Sequence, residues 1–379
     1  MPRVEAGSVG RREVVRAGGS AAVALALQSL FGGLKPARAL ESTTAVPEID
    51  RLAVRVLIDN YQIAVAPSFK RDNVEIERYG WALGEAPPDR AIVSEFGLSL
   101  HAASVQGDQT RNLLIDFGFT SDALNNNLQL LSVNPATLDA LVLSHGHYDH
   151  FGGLTGFLSA SGGKLKPGTP FVVGGEECFC ARQWTAPPLP GNFGAINRSA
   201  LQAAKLTVVS AEQPALIADH AFITGQVPLT TFEKVLSPSK MTVGINGGFG
   251  CYPDKLPEDE RQAETIPDKF RHEIATVYNL RGRGLVVLTS CSHRGVVNIV
   301  RRAQAVSGIS KVHAVMGGFH LAPFDETYIR QVIAGLKEIN PDFVVPMHCT
   351  GEPFWDLARA EMPNKALRAY TGTRFVFNA

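Results

Sequence analysis

Residues 144–150 read Ser144-His145-Gly146-His147-Tyr148-Asp149-His150 and follow directly on an apolar run at 138–143. Three imidazoles and one carboxylate thus fall within six residues, at the end of a strand-like segment. Such donors suit Zn²⁺, Fe or Mn²⁺. Backbone alternation lets His145 and His147 point the same way and share one metal. Asp149 and His150 stand where the chain turns into a helix start at Gly152-Gly153-Leu154, so they can face a second metal. A histidine-rich surface loop is the plain alternative, and histidines further along the chain count against it.

Those later histidines share one context. Four times an apolar strand ends at a histidine and a helix-like segment follows. The run 138–143 precedes His145 and then 152–158; 285–289 precedes His293 and then 295–306. The run 312–316 precedes His320 and then 325–339; 342–346 precedes His348 and then 353–361. In open α/β architecture ligands bind beyond the carboxyl ends of strands, so four such ends can converge on one site. Further strands are expected at 51–59, 97–103, 111–117 and 273–280, the last turning into 285–289 through Arg281-Gly282-Arg283-Gly284. Two stretches read as insertions. One is 162–213, with Pro187, Pro188 and Pro190; the other is 243–272, with Gly247, Gly248 and Gly250. Stretches of that length more often form lids or binding loops than linkers. One domain is expected over 40–379. His101, His220, His272 and His313 read as structural, and Cys178, Cys180 and Cys251 as buried thiols. Cys291 and Cys349 lie inside the histidine motifs.

The chain has 379 residues, 45% of them hydrophobic, which is ample for a large core. Its net charge is zero; the first 39 residues hold six basic and two acidic side chains, leaving the remainder at −4. The absence of basic clustering excludes a nucleic-acid surface. Arg11-Arg12 precede an apolar stretch at 17–31, and Ala37-Arg38-Ala39 fits a small-x-small cleavage site before Leu40. The segment 10–16 resembles a twin-arginine motif with Gly, Val and Arg at its usual Ser/Thr, Phe/Leu and Lys positions. Residues 1–39 are therefore expected to be an export leader, sending the protein to the periplasm or outside the cell. The apolar run is broken by Gly19, Gln28 and Ser29 and falls short of the roughly 20 residues of a membrane helix, so no stable span is expected after cleavage. A signal anchor is the alternative. There is no Gly-x-Ser-x-Gly elbow to suggest a serine hydrolase.

His145-Gly146-His147-Tyr148-Asp149-His150 matches the HxHxDH signature of the metallo-β-lactamase superfamily, and Asp116-Phe117-Gly118 resembles its DTG element with Phe for Thr. A narrower resemblance runs in order from 57 to 351. It comprises Leu57-Ile58-Asp59-Asn60, Glu95-Phe96-Gly97-Leu98-Ser99, the segment 144–154, Thr224-Gly225, Ser290-Cys291-Ser292-His293-Arg294-Gly295, Gly317-Gly318-Phe319-His320-Leu321 and His348-Cys349-Thr350-Gly351. These blocks resemble the dihydropterin-ribofuranosylaminobenzene-phosphate-synthase-like branch, with Phe96 where that pattern has His. The resemblance implies an α/β fold, an αββα four-layer sandwich with a two-metal site at one edge of its sheets. His145, His147 and His293 would hold the first metal, and Asp149, His150 and His348 the second. Lactamase-fold hydrolases add a bridging Asp between the last two histidine motifs; Gly318-Phe319-His320 stands near that place, which makes His320 a further candidate ligand. Asp116 is expected behind the ligands, accepting an N–H from one of them. Cys291 is a candidate soft ligand or supporting group, and Arg294 could meet an anionic substrate group.

A metal pair lowers the pKa of bound water towards about 7 and clamps an ester, phosphate or carbonyl oxygen. Asp149 can both ligate and orient that nucleophile, and Tyr148 could face the substrate. The expected function is an exported binuclear metallohydrolase acting through metal-bound hydroxide on a small-molecule ester, lactone or phosphoester. Two divalent ions are expected, Zn(II) first, with Fe or Mn as alternatives. The competing reading is a synthase in which an arene displaces pyrophosphate from a pterin-type substrate. A third is a metal-binding or sensor protein without turnover. Nothing in the sequence sets the oligomeric state.

Overall fold

Alternating branched apolar residues build two sheets that meet face to face. The computed structural model describes residues 38–39, 45–79, 88–185, 191–235 and 238–379. The expected leader lies outside these residues, apart from Arg38–Ala39, whose backbone pairs antiparallel with Leu216 and Ala215. Among the described residues no helix is long and apolar enough to cross a membrane.

One sheet has nine strands, with Thr207–Ser210, Pro170–Val173, Ala140–Val142, Gln109–Ile115, Ser99–Gln106, Arg51–Ile58 and Arg374–Asn378 in that order. The other carries Thr276–Leu280, Gly284–Leu288, Val312–Gly318 and Phe343–Met347 side by side. Inward residues of both, such as Val54, Ile115, Val142, Val286, Ala314 and Val345, pack together between the sheets. On the outer face of the first sheet Leu114, Leu141 and Phe171 meet Leu124, Leu128 and Phe157 from helices Ser121–Leu130 and Leu154–Ala160. On the outer face of the second, Val287, Val315 and Val344 meet helices Val296–Ser307, Glu326–Ile339 and Glu352–Glu361. The layers are therefore αββα. Period-two alternation sorts each strand between two apolar cores: Val315 faces the helices while Ala314 and Met316 face the partner sheet.

Parallel pairing brings the catalytic-type residues to one edge. Gly284–Leu288, Val312–Gly318 and Phe343–Met347 run parallel, so His293, His320 and His348 leave the same side of their sheet. Gln109–Ile115 and Ala140–Val142 are also parallel, so Asp116 and His145 leave the same side of the other.

The expected insertion at 162–213 needs correction. Pro170–Val173 and Thr207–Ser210 are parallel strands of the nine-stranded sheet; only the chain between them departs from it. Short strands bounded by Gly and Pro escape a composition-based reading. Within that excursion Ala181–Trp184 and Gly191–Gly194 join Ser239–Thr242 and Thr265–Pro267 in a separate four-stranded sheet. A second correction concerns the cysteines. Cys180 and Cys251 form a disulfide, while Cys178 is a buried free thiol. The 71-residue separation leaves no local spacing from which to read the pair.

Arg182 anchors this excursion. Its guanidinium is fully buried, 2.6 Å from Asp268 Oδ2, and it donates to the carbonyls of Glu177, Cys178 and Cys180. Arg182→Met would strand a buried carboxylate, so we expect a loss of about 3–5 kcal/mol, read as a lowered midpoint in urea unfolding. An unchanged midpoint would show that the pair does not hold the excursion in place.

Candidate metal centre

The loop 144–150 is pinned from both sides. Asp116, in left-handed backbone at φ 57°, lies fully buried behind it. Its Oδ1 accepts the Ser144 N–H at 2.8 Å, its Oδ2 accepts the Ser144 hydroxyl at 2.8 Å, and Oδ2 stands 2.7 Å from His150 Nδ1. On the other side His272 Nε2 accepts the Gly146 N–H at 3.2 Å, and His272 Nδ1 lies 3.1 Å from Glu177 Oε2. Only glycine fits at 146, because a Cβ there would fall 2.3 Å from Arg182 Nη1 and 2.6 Å from the Cys178 oxygen.

These bonds set the imidazole tautomers. The Ser144 hydroxyl donates to Asp116 and so accepts from His145 Nδ1, 2.9 Å away. His150 Nδ1 donates to the Asp116 carboxylate. Asn60 uses its amide N–H on the His348 carbonyl, which leaves Asn60 Oδ1 to accept from His348 Nδ1 at 3.2 Å. In all three rings Nδ1 is therefore engaged from behind and Nε2 is the nitrogen turned to the site. The Nε2 atom of His145 and both ring nitrogens of His293 are buried with no hydrogen-bond partner. Buried polar atoms ordinarily find a partner, and neutral imidazoles oriented from behind by carboxylate, hydroxyl or amide are what metal ligation requires.

Ligand atoms of His145, His147 and His293 lie within 4.8 Å of one another, and so do those of Asp149, His150 and His348. Cys291 groups with His145 and His150, and again with His293 and His320. His320 thus neighbours His293, with ring centroids 4.1 Å apart, and stands outside the Asp149 group. The electrostatics divide the rings. Burial pushes His145 and His293 well below the usual imidazole range and His147 to about 3. Burial also opposes charge on His150, but Asp149 and Asp116 outweigh it and lift that ring to about 9. Asp149 is held below the ordinary carboxylate range despite burial, because His150 and His348 face it; His348 Nε2 is 3.1 Å from its Oδ2.

Strand ends on the opposite sheet are positioned by residues that no motif announces. Glu273 accepts the backbone N–H groups of His293 and Arg294 at 2.7 and 2.8 Å, and burial raises its carboxyl to about 7. Asp59 accepts the His348 N–H at 2.8 Å. Phe270 stacks on His293 with centroids 3.8 Å apart. Phe270, Ser292, His320 and His348 all adopt positive φ, between 46° and 60°. Non-glycine residues in this region carry strain of about 1 kcal/mol or more, and such residues cluster at functional sites. Their signal in sequence is weak: Phe270 and Glu273 lie two and one places from His272 and Ser292 one place from His293, while Asp59 has no histidine near it.

The other candidate side chains have partners of their own. Tyr148 is engaged in edge-on contacts with Phe119 and Phe151, at 5.0 and 5.4 Å. Arg294 is committed to the carbonyls of Val227 and Lys269, so it ties loops together rather than standing free for an anion. His220 bonds Ser104, and His313 bonds Asp342 and Asn73. His272 acts one layer behind the loop, not on its open face.

Comparison with known proteins agrees with this geometry. The sequence profile of the metallo-beta-lactamase superfamily matches residues 98–167. The chain is 27% identical, over 284 residues, to the 7,8-dihydropterin-6-methyl-4-(beta-D-ribofuranosyl)-aminobenzene-5'-phosphate synthase of Methanocaldococcus jannaschii, covering 74% of this chain and 89% of that protein. It is 26% identical over 265 residues to an uncharacterized protein of the same organism, 69% of this chain and 87% of the other. A solved structure described as a metal-dependent hydrolase of the beta-lactamase superfamily shares the fold at a TM-score of 0.60 and 23% identity, over 85% of this chain and 98% of that one. Profile, relative and fold agree: residues 98–167 carry the metallo-beta-lactamase superfamily pattern, and the rest of the chain is similar in sequence and fold to these proteins.

Proposed function

We propose that this protein is a metal-dependent hydrolase that cleaves an ester, lactone or phosphoester in a small molecule, with two divalent cations, Zn²⁺ first. The observation that carries the reading is the clustering of buried imidazole and carboxylate donors, with His145 Nε2 and both nitrogens of His293 left without a hydrogen-bond partner. His145, His147 and His293 would hold one cation; Asp149, His150 and His348 would hold the other. When bound, such cations acidify water and polarise a carbonyl or phosphoryl oxygen. The chain's own contribution is orientation. Asp149 stays ionised and faces both His150 and His348, so it can hold a water's proton and aim the oxygen. Asp116 and Asn60 keep His150 and His348 from turning. Phe96, 58% exposed and 4.8 Å from His348, and Phe193, 5.5 Å from His147, supply an apolar wall suited to an acyl or aryl group.

The Cys180–Cys251 disulfide suits an oxidising compartment. Together with the leader-like first 39 residues it supports export to the periplasm or beyond. The synthase reading draws support from the 27% identical relative. Against it stands Phe96, an apolar side chain at the mouth where that branch pattern has an ionisable one.

Metal analysis of purified protein is expected to give two equivalents per chain. A panel of lactones, thioesters and phosphodiesters should show turnover that a chelator abolishes. His147→Ala should lower that turnover at least about 100-fold while reducing bound metal. Retention of both would place the site elsewhere, and pyrophosphate release from a pterin diphosphate, with an inert panel, would favour the synthase. Asp116→Asn removes the carboxylate behind His150 and should weaken metal affinity about 10–100-fold, measured by competition with a chromophoric chelator. Unchanged affinity would mean that Asp116 serves packing alone.

A further inference from the structure

One buried sulfur is shared by more donor sets than any other atom at the site. Cys291 groups with His145 and His150, with His293 and His320, and with His348 and Cys349, each set within 4.8 Å. Among the described residues no other side chain belongs to three such sets. It therefore lies between the group built on His145, His147 and His293 and the group built on Asp149, His150 and His348. Its Sγ is 3.1 Å from His150 Nε2, the nitrogen that the Asp116–Nδ1 contact leaves facing the site. Tetrahedral Zn–S and Zn–N bonds of about 2.3 and 2.0 Å put the two donors about 3.5 Å apart, so the observed spacing is close to that of two ligands on one ion. Charge points the same way. Asp149 is the sole carboxylate in the donor sets, and Glu273 and Asp116 are turned to backbone, hydroxyl and imidazole groups behind the ligands. Two divalent cations beside one carboxylate would leave a buried pocket short of negative charge, which a thiolate partly offsets.

We propose that Cys291 is a metal ligand lying between the two cations, where a bridging carboxylate would otherwise sit. The proposal rests on the two-cation reading above. On binding, the S–H bond breaks, its proton passes to solvent and the sulfur lone pair forms the bond to the ion; nothing is oxidised or reduced. Cys349, whose sulfur donates to Cys291 Sγ at 3.3 Å, is a positioning residue: it holds the sulfur in place. A sulfur ligand shifts preference towards soft, borderline ions such as Zn²⁺, Fe²⁺ and Co²⁺ and away from Mn²⁺.

Cobalt reports this directly. Metal-free full-length protein titrated with Co²⁺ should take up two equivalents and develop near-ultraviolet thiolate-to-cobalt charge-transfer absorption. Cys291→Ser should abolish that absorption while still binding cobalt, about 10–100-fold more weakly. Cys349→Ser and Cys178→Ser should keep it. Two equivalents bound without the absorption overturn the sulfur ligand and leave the two-cation reading intact. Loss of the band in Cys349→Ser but not in Cys291→Ser gives the role to the other sulfur and overturns the proposal. No cobalt uptake overturns both readings. Should Cys291→Ser fail to fold, zinc-edge X-ray absorption on the wild-type protein decides: a sulfur shell at about 2.3 Å supports the proposal, and nitrogen and oxygen alone contradict it.

Discussion

Unpaired imidazole lone pairs, packed where water cannot reach them, are the constraint on which the rest of the structure turns. An unsatisfied buried polar atom costs about 1–3 kcal/mol, and here several share one pocket. Rotating any ring to find a partner would relieve that cost. The groups behind the rings prevent it: Asp116 holds His150, the Ser144 hydroxyl holds His145, and Asn60 holds His348. The protein thus holds its nitrogens pointing inward, an arrangement suited to metal ligation.

The two sheets exist, from the site's point of view, to bring six segments of chain to one edge. Parallel neighbours deliver their carboxyl ends side by side, and the apolar core between the sheets fixes how far apart the two sets of ends stand. Left-handed residues at Asp116, Ser292, His320 and His348 then turn side chains across the gap. The strain at these four positions is stored against the large, well-packed cores on either side. Arg182 of the four-stranded excursion and His272 add a second support, bonded to each other and packed against the loop at Gly146.

How much of this is legible in sequence depends on whether the cause is local. The loop 145–150 is contiguous, so its donor types and spacing are visible at once. His293, His320 and His348 are visible because each ends an apolar strand before a helix, and those strands and helices fall within a few residues of where periodicity puts them. Causes that live between distant segments are not visible. Cys180 and Cys251 meet only because two excursions pair. The central place of Cys291 needs six other side chains to be located first. Phe270 lies at the end of a stretch that reads as an insertion and Glu273 at the start of an expected strand, and nothing local shows that the backbone there is bound to Ser144 through the Ile274 N–H. Arg294 reads as a free cation because sequence does not show the carbonyls of Val227 and Lys269 that come to meet it.

The central claim is that two cations sit in this cluster, each on its own triad. Anomalous diffraction at the zinc edge from crystals of the full chain tests it without reference to any substrate. The account predicts two peaks, one among His145, His147 and His293 and one among Asp149, His150 and His348. A single peak, none at all, or peaks away from these side chains would contradict it.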